Sequence, residues 1–166
     1  TLEETSFELD KVIQQGVGVC TLKAHEKHVE LITYVEPNIP NTLFGDPLRL
    51  QQVITNLISN AVQYTQPGGA IDITAKMNTD SCTFCVSDNG SGIDKPHILE
   101  LFNKGSKNKL NGNASSFNGL GLIICKDFVE KSGGQIWLET QKGLGSKFFF
   151  TIFAFVLFNM ICYMLF

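Results

Sequence analysis

The longest amphipathic stretch of the sequence is Asp46-Pro-Leu-Arg-Leu-Gln-Gln-Val-Ile-Thr-Asn-Leu-Ile-Ser-Asn-Ala-Val-Gln-Tyr-Thr65. Asp46 is a typical helix N-cap and Pro47 suits the first helical position, so the pattern predicts a helix from Asp46 to about Tyr64. At 3.6 residues per turn, a polar stripe runs beside an apolar face of this helix. The stripe consists of Arg49, Gln52, Asn56, Asn60 and Gln63.

Asn56 and Asn60 are the unusual members of this stripe. A solvent-facing stripe normally carries Lys and Glu, which favour helices, whereas Asn does not. The two residues lie four positions apart, which places both amides on one face of the helix. An Asn carbonyl oxygen is a hard ligand that can bind Mg²⁺, an ion that keeps waters and phosphates in its shell. The spacing therefore indicates a magnesium site, with an ordinary uncharged surface stripe as the alternative.

Strands and further helices surround this helix along the chain. Helices are predicted at about residues 10–25 and 119–132, and strands at about 6–10, 28–36, 70–76, 82–88, 135–140 and 147–155. A long irregular stretch rich in Gly, Asn, Ser and Lys separates the fourth strand from the third helix, and such loops are usually functional or mobile. The order predicts an α/β two-layer sandwich, with a mixed sheet of about five strands or more and three helices on one face.

Composition limits the class of protein. The 166 residues fit one domain, and 43% hydrophobic with 17% charged residues is typical of a globular chain rather than a disordered one. The net charge of −3 leaves no broad basic face, so no nucleic-acid partner is expected. Five cysteines without framework spacing indicate reduced thiols, and the acidic N-terminal segment lacks the apolar run of a signal peptide. We therefore expect a cytoplasmic protein, or the cytoplasmic part of a membrane-anchored one.

The C-terminal segment 148–166 contains no charged residue and is long enough to span a bilayer. Its first half is β-branched and aromatic and follows a glycine turn, which favours a buried strand up to about residue 155. The remaining segment 156–166 is then too short to cross a membrane. We predict a domain over residues 1–155 and an apolar tail over 156–166 of unassigned role, with a transmembrane helix as the open alternative.

Two glycine-rich turns carry further candidate site residues. In Ser87-Asp-Asn-Gly-Ser-Gly-Ile93, Gly90 and Gly92 allow a sharp turn and a close approach to a ligand. Asp88 ends the predicted strand, where its carboxylate could accept a hydrogen bond from an amino group. In Asn118-Gly-Leu-Gly-Leu122, the glycines open a helix whose N-terminal amides can bind an anion. Each turn alone is a weak signal, because the first is also an ordinary turn and the second matches no common phosphate loop.

Order and spacing turn these features into one pattern. After Asn56-Leu-Ile-Ser-Asn-Ala-Val-Gln-Tyr-Thr65 come Asp88-Asn-Gly-Ser-Gly-Ile93, Ile98-Leu-Glu-Leu-Phe102, Asn118-Gly-Leu-Gly-Leu122 and Gly143-Leu-Gly-Ser146. They resemble the asparagine box, first glycine box, phenylalanine box, second glycine box and last glycine box of sensor histidine protein kinases. Over residues 5 to about 154 the chain thus resembles the catalytic, ATP-binding domain of that family. The family shares the Bergerat nucleotide fold with gyrase, mismatch-repair and heat-shock chaperone ATPases.

The resemblance implies ATP and Mg²⁺ as cofactors and gives the matched residues roles. Asn60 would hold Mg²⁺ bridging the phosphates, with Asn56 beside it, and these two are the implied catalytic residues. Asp88 would bond the adenine amino group, while backbone amides at Gly119 and Gly121 would meet the phosphates. The other implied nucleotide contacts are Tyr64, Gly90, Gly92, Ile93, Phe102, Lys104, Lys107, Leu120, Leu122 and Ser146.

The resemblance also implies partners and a lid, and the chain departs from the family pattern at positions that include Gln63. The γ-phosphoryl group would go to a histidine on an upstream dimerisation and phosphoacceptor helical domain, with a response regulator receiver domain as the further partner. Residues 94–118 would form a lid over the nucleotide. Gln63 stands where the family commonly has a lysine that meets the phosphates. His25 and His28 lie where the family has an ordinary helix end, so neither is expected to be the phosphate acceptor.

Two other functions remain alternatives at this point. Hydrolysing ATPases of this fold resemble one another in having a Glu that activates water at the position of Asn56, and an amide cannot act as a general base. Phosphoryl transfer depends more on positioning and charge neutralisation than on a strong base, which favours the kinase. A nucleotide-sensing module without catalysis is the second alternative, because Gln63 replaces the expected lysine.

Overall fold

The computed structural model describes residues 4–94 and 119–153, which form seven strands and three helices. In chain order these are β1 (Thr5–Glu8), α1 (Leu9–Glu26), β2 (Glu30–Val35), β3 (Thr42–Gly45), α2 (Pro47–Tyr64), β4 (Ala70–Met77), β5 (Ser81–Asp88), α3 (Gly119–Lys131), β6 (Ile136–Gln141) and β7 (Gly145–Phe153). The three predicted helices are confirmed, and each ends within one residue of its predicted limits.

The main sheet has five strands in the order β2-β4-β5-β7-β6. β2 pairs with β4 in parallel and the other neighbours are antiparallel, so the predicted mixed sheet is confirmed. β5 follows a strict period of two, in which buried and half-buried residues alternate from Ser81 to Asp88. This alternation arises because one face of the sheet is covered by helices and the other meets solvent.

A second, two-stranded sheet pairs β1 with β3 in antiparallel register, with Phe7 opposite Leu43. The strand predicted near residues 6–10 therefore ends at Glu8 and is not part of the main sheet. β3 was not predicted at all. Its four residues contain a single fully buried side chain, Leu43, which is too short a pattern to indicate a strand without the partner from β1.

The hydrophobic core lies between the main sheet and the apolar stripe of α2. Leu57 and Ile58 are completely buried in it, and Phe84 of β5 stacks on Phe150 of β7 with ring centroids 4.8 Å apart. The predicted N-cap of α2 is confirmed, because the Asp46 side chain accepts a hydrogen bond from the backbone N–H of Arg49 at 3.0 Å. A capped and deeply buried α2 is a rigid element on which to place site residues.

The paired strands β5 and β7 end near Phe153 on one side of the main sheet and near Asp88 on the other. β7 ends at Phe153, close to the predicted limit, and the tail 156–166 lies outside the described residues. None of the helices in the described part of the chain has the length and apolar character needed to cross a membrane. At the other end, Asp88 pairs in register with Ser146, which brings the first and last glycine motifs side by side.

Candidate nucleotide-binding site

A cleft opens between the C-terminal half of α2 and the adjoining ends of β5 and β7. Its lining consists of Asn60, Ala61, Tyr64, Asp88, Ile93, Ser146 and Phe148. Sequence reasoning named all of these except Ala61 and Phe148. Both missed residues followed the inward pattern of their elements, Ala61 on the apolar face of α2 and Phe148 two positions after Ser146, so their periodicity was the signal available.

Asp88 lines the cleft and is 7% exposed. Its Oδ1 accepts the backbone N–H of Gly90 at 2.9 Å. Burial raises the pKa of the Asp88 carboxyl above its ordinary value, and the nearby backbone N–H groups of Gly90 and Ser146 offset part of that rise. The Gly90 donor orients the carboxylate, and its remaining lone pairs can accept a hydrogen bond from a ligand.

The turn after Asp88 requires glycine at two positions. A Cβ at Gly90 would lie 2.4 Å from the Tyr64 carbonyl oxygen. Gly92 has φ +67°, and a Cβ there would lie 2.2 Å from the carbonyl oxygen of Gln141. The glycines therefore allow the turn to pack closely against α2 and the β6–β7 hairpin, in addition to the ligand approach predicted from the sequence.

The β6–β7 hairpin holds this turn in place. The backbone N–H of Ile93 donates to Thr140 Oγ1 at 2.9 Å, and the N–H of Gly143 donates to the Ser91 carbonyl oxygen at 2.7 Å. Lys142 forms an exposed ion pair with Asp94 at 2.9 Å. Sequence reasoning missed Thr140, because no local pattern marks a hydroxyl whose partners lie on another element.

The first asparagine of the α2 stripe contacts α3 rather than lining the cleft. Asn56 Nδ2 donates to Cys125 Sγ at 3.6 Å, and a Cβ at Gly121 would lie 3.7 Å from the Asn56 amide carbon. Burial raises the pKa of the Cys125 thiol to about 11, so the thiol stays protonated at neutral pH. The start of α3, which carries the second glycine motif, is thus brought next to the asparagine motif, as the order of motifs predicts.

Several predicted contacts are placed elsewhere or lie outside the described residues. Leu122 is buried in the hydrophobic core and is not part of the cleft lining, so its contact with the base stays a prediction. Gly119 and Leu120 form the first turn of α3. Phe102, Lys104 and Lys107, together with most of the predicted lid 94–118, lie outside the described residues.

The two N-terminal histidines have the surroundings expected from the sequence. His25 lies in the last turn of α1, and His28 follows in a turn with φ +57°. α1 has 18 residues and packs along α2 within the domain. Both histidines thus lie at a helix end, as expected, and the expectation that neither is the phosphate acceptor stays a prediction.

The fold is an α/β domain with a mixed sheet and three helices on one face. Together with the cleft that the buried Asp88 carboxylate lines, it defines a nucleotide-binding domain. Residues 45–154 match the family model described as histidine kinase-, DNA gyrase B- and HSP90-like ATPase. The chain belongs to this family, and the predicted resemblance to the ATP-binding domain of sensor histidine kinases is confirmed.

Curated relatives with similar sequences are sensor kinases. The chain is 33% identical over 157 residues to sensor histidine kinase GacS of Pseudomonas protegens, covering 91% of this chain and 17% of that protein. It is 35% identical over 144 residues to the adaptive-response sensory kinase SasA of Synechococcus elongatus, covering 86% of this chain and 37% of that protein. The chain thus spans well under half the length of these relatives.

Solved structures agree with the fold. The nucleotide-free catalytic domain of histidine kinase ThkA aligns with a TM-score of 0.77 and 27% identity, covering 92% of this chain and 96% of that one. Full-length ShkA in complex with AMPPNP aligns with a TM-score of 0.80 and 26% identity, covering 93% of this chain and 32% of that one. The predicted Bergerat-type fold is therefore confirmed over the described residues.

Proposed function

We propose that this chain binds Mg-ATP and supplies its γ-phosphoryl group to a histidine on a separate helical dimerisation and phosphoacceptor domain, in two-component signal transduction. The observation that carries the proposal is the cleft that the buried Asp88 lines together with Asn60 of α2. Because ATP and such signalling partners are available in the cytoplasm, we also propose a cytoplasmic location for this domain.

The side chains that line the cleft are of the kinds that bind an adenine base. Asp88 offers lone pairs to an amino group, and the Gly90 backbone N–H holds its Oδ1 at 2.9 Å. Ile93, Tyr64 and Phe148 supply apolar surface for the faces of the ring. A base bound between them would bring its phosphates toward α2 and the start of α3, where the Gly119 and Gly121 amides are available to an anion.

Magnesium would be held mainly by the nucleotide itself. Within residues 4–94 and 119–153, no group of three or more His, Cys, Asp or Glu could hold a metal ion. The Asn60 carbonyl oxygen is the protein ligand we assign, and phosphate oxygens with water would complete the shell of Mg²⁺. Bound there, the ion would neutralise charge on the transferring phosphoryl group.

The chemistry favours phosphoryl transfer over hydrolysis. A nitrogen of the acceptor histidine would form a bond to the γ-phosphorus as the bond to the bridging oxygen breaks, with ADP leaving and the imidazole proton passing to solvent. Hydrolysis would need a base for water, and Asn56, already engaged with Cys125, cannot accept a proton near neutral pH. Gln63 is exposed at the end of α2 and offers no charge to the phosphates, which favours slow transfer.

A structural neighbour supports the proposed partner class. The crystal structure of histidine kinase ThkA in complex with response regulator protein TrrA aligns with a TM-score of 0.73 and 27% identity, covering 92% of this chain and 42% of that one. We propose a receiver domain of a response regulator as the downstream partner of this chain by analogy with that complex.

The test is phosphotransfer between two purified proteins. The chain is incubated with γ-labelled ATP and Mg²⁺, alone and with a separate dimerisation and phosphoacceptor domain. We expect acid-labile, alkali-stable label on the added domain and none on the chain alone, because His25 and His28 lie at the end of α1 and are not expected to be acceptors. Label on the chain that is lost in His25→Ala or His28→Ala would contradict the acceptor assignment. Release of labelled phosphate without label on either protein would favour the ATPase.

A further inference from the structure

We propose that Thr140, which lies outside the five matched motifs, is a specificity-determining residue of the cleft. It fixes the Ser146 hydroxyl as a hydrogen-bond acceptor toward the ligand, so that the cleft selects a purine with an amino group at C6 over one with an oxygen there. The inference rests on the proposed binding of adenine beside Asp88.

Thr140 makes three hydrogen-bond contacts through one hydroxyl group. Its Oγ1 accepts the backbone N–H of Ile93 at 2.9 Å, lies 3.0 Å from the Gly145 carbonyl oxygen and lies 2.9 Å from Ser146 Oγ. A hydroxyl has one proton to donate and two lone pairs to accept with. Because a carbonyl oxygen can only accept, the Thr140 proton is assigned to Gly145.

This assignment determines the direction of the remaining contact. Because the Thr140 hydroxyl donates its hydrogen bond to the Gly145 carbonyl oxygen, it can only accept a hydrogen bond from Ser146. The hydroxyl hydrogen of Ser146 therefore points at Thr140. Ser146 Oγ then presents lone pairs, and no proton, to the cleft that it lines. Ser146 is 4% exposed, so water has little access with which to offset a mismatch there.

Two acceptors therefore lie side by side at the base-binding end of the cleft. Asp88 and Ser146 are register partners on β5 and β7, and both line the cleft. Asp88 accepts the backbone N–H of Gly90 and is also an acceptor toward the ligand. An amino group at C6 of a purine can donate to such a pair. An oxygen at C6 faces the same two acceptors and donates a hydrogen bond to neither.

Removing the Thr140 hydroxyl should allow the Ser146 hydroxyl group to reorient. In Thr140→Val the Ser146 hydroxyl is free to turn and donate into the cleft, so a 6-oxo purine finds a donor. The turn that carries Gly92 and Ile93 also loses one bond, which weakens binding of both kinds of base. A loss of packing alone lowers both affinities by the same factor, so the ratio of the two affinities separates the two effects.

The experiment measures dissociation constants for ATP and ITP with Mg²⁺, because ITP differs from ATP in having an oxygen at C6. We expect the unmodified chain to prefer ATP, and the preference to fall about tenfold in Thr140→Val and to persist in Thr140→Ser. The matched control is Thr151→Val, which also removes a Thr hydroxyl that accepts a backbone N–H, from Gln135 at 2.9 Å, at the other end of β7. Thr151→Val should keep the ATP preference, and it should lose about as much thermal stability as Thr140→Val.

The outcomes distinguish this inference from the proposed function. An unmodified chain that binds neither nucleotide contradicts the proposed function itself. A chain that binds ATP while Thr140→Val keeps the full ATP preference contradicts the role of Thr140 alone. If Thr140→Val does not fold, Ser146→Ala replaces it, because deleting the second acceptor should also reduce the preference, and an unchanged ratio in that variant overturns the inference.

Discussion

Asp88 on β5 and Ser146 on β7 are register partners in the main sheet, and both residues line the cleft. This pairing joins the first and last glycine motifs, which are far apart in the sequence. The acceptor carboxylate in the cleft is therefore positioned by the sheet itself.

The stability of the domain should depend on the titration of Asp88. Burial raises the pKa of its carboxyl, so the folded chain keeps this proton at pH values where the unfolded chain has lost it. The free energy of unfolding should consequently fall as pH rises from the ordinary value of 3.8 through the raised folded-state pKa. Urea denaturation at a series of pH values should show this slope, and Asp88→Asn should flatten it. Equal slopes in the two proteins would show that Asp88 is not the titrating group.

Gly92→Ala should destabilise the domain by at least about 1–2 kcal/mol, the cost of a left-handed backbone for an L-residue. The new Cβ would also meet the Gln141 carbonyl oxygen, which belongs to the β6–β7 hairpin. Gly18→Ala is the matched control, since a Cβ there has no neighbour within 4 Å and helix α1 should gain about 0.5–1 kcal/mol. Chemical denaturation measures both, and a Gly92→Ala variant as stable as the unmodified chain would contradict the described turn.

Asn60→Ala should separate metal-dependent from metal-independent binding. If the Asn60 oxygen is the protein ligand of Mg²⁺, the variant should lose about tenfold in affinity for Mg-ATP and little for ATP in the presence of a chelator. Gln52→Ala provides a control on the same polar stripe, where Gln52 is exposed and accepts a bond from Arg49 at 3.2 Å. An equal loss with and without Mg²⁺ would mean that Asn60 serves the nucleotide and not the metal.

Gln63→Lys should strengthen ATP binding. The residue is exposed at the end of α2, one turn beyond Asn60, where a lysine ammonium would be within reach of phosphates held near that side chain. We expect an increase of a few-fold that weakens with added salt, measured by titration calorimetry. Gln66→Lys adds the same charge to an exposed position beyond the helix and should have a smaller effect. If both variants gain equally, the effect is one of net charge and not of position.

Much of the fold was predictable because its signals are local. The Asp46-Pro47 start of α2 and its apolar stripe are chemical properties of neighbouring residues, and both are confirmed. The β1–β3 pair was missed because neither strand is recognisable without the other. The same limit applies to the site: Asp88 and Gly92 stand in a motif, whereas Thr140 and Cys125 gain their roles only through partners on other elements.

The central claim is that Asp88 recognises the amino group of adenine, and isothermal titration of ATP into Asp88→Asn tests it most directly. In this variant the amide oxygen of Asn accepts the Gly90 N–H in place of the carboxylate oxygen. The amide nitrogen, which is a donor, then turns toward the cleft and lies against the adenine amino group, which is also a donor. The account predicts a loss of about 1–3 kcal/mol in binding free energy. Asp72→Asn, on the solvent face of β4, is the charge-matched control and should bind ATP as the unmodified chain does. Unchanged ATP affinity in Asp88→Asn would contradict the account.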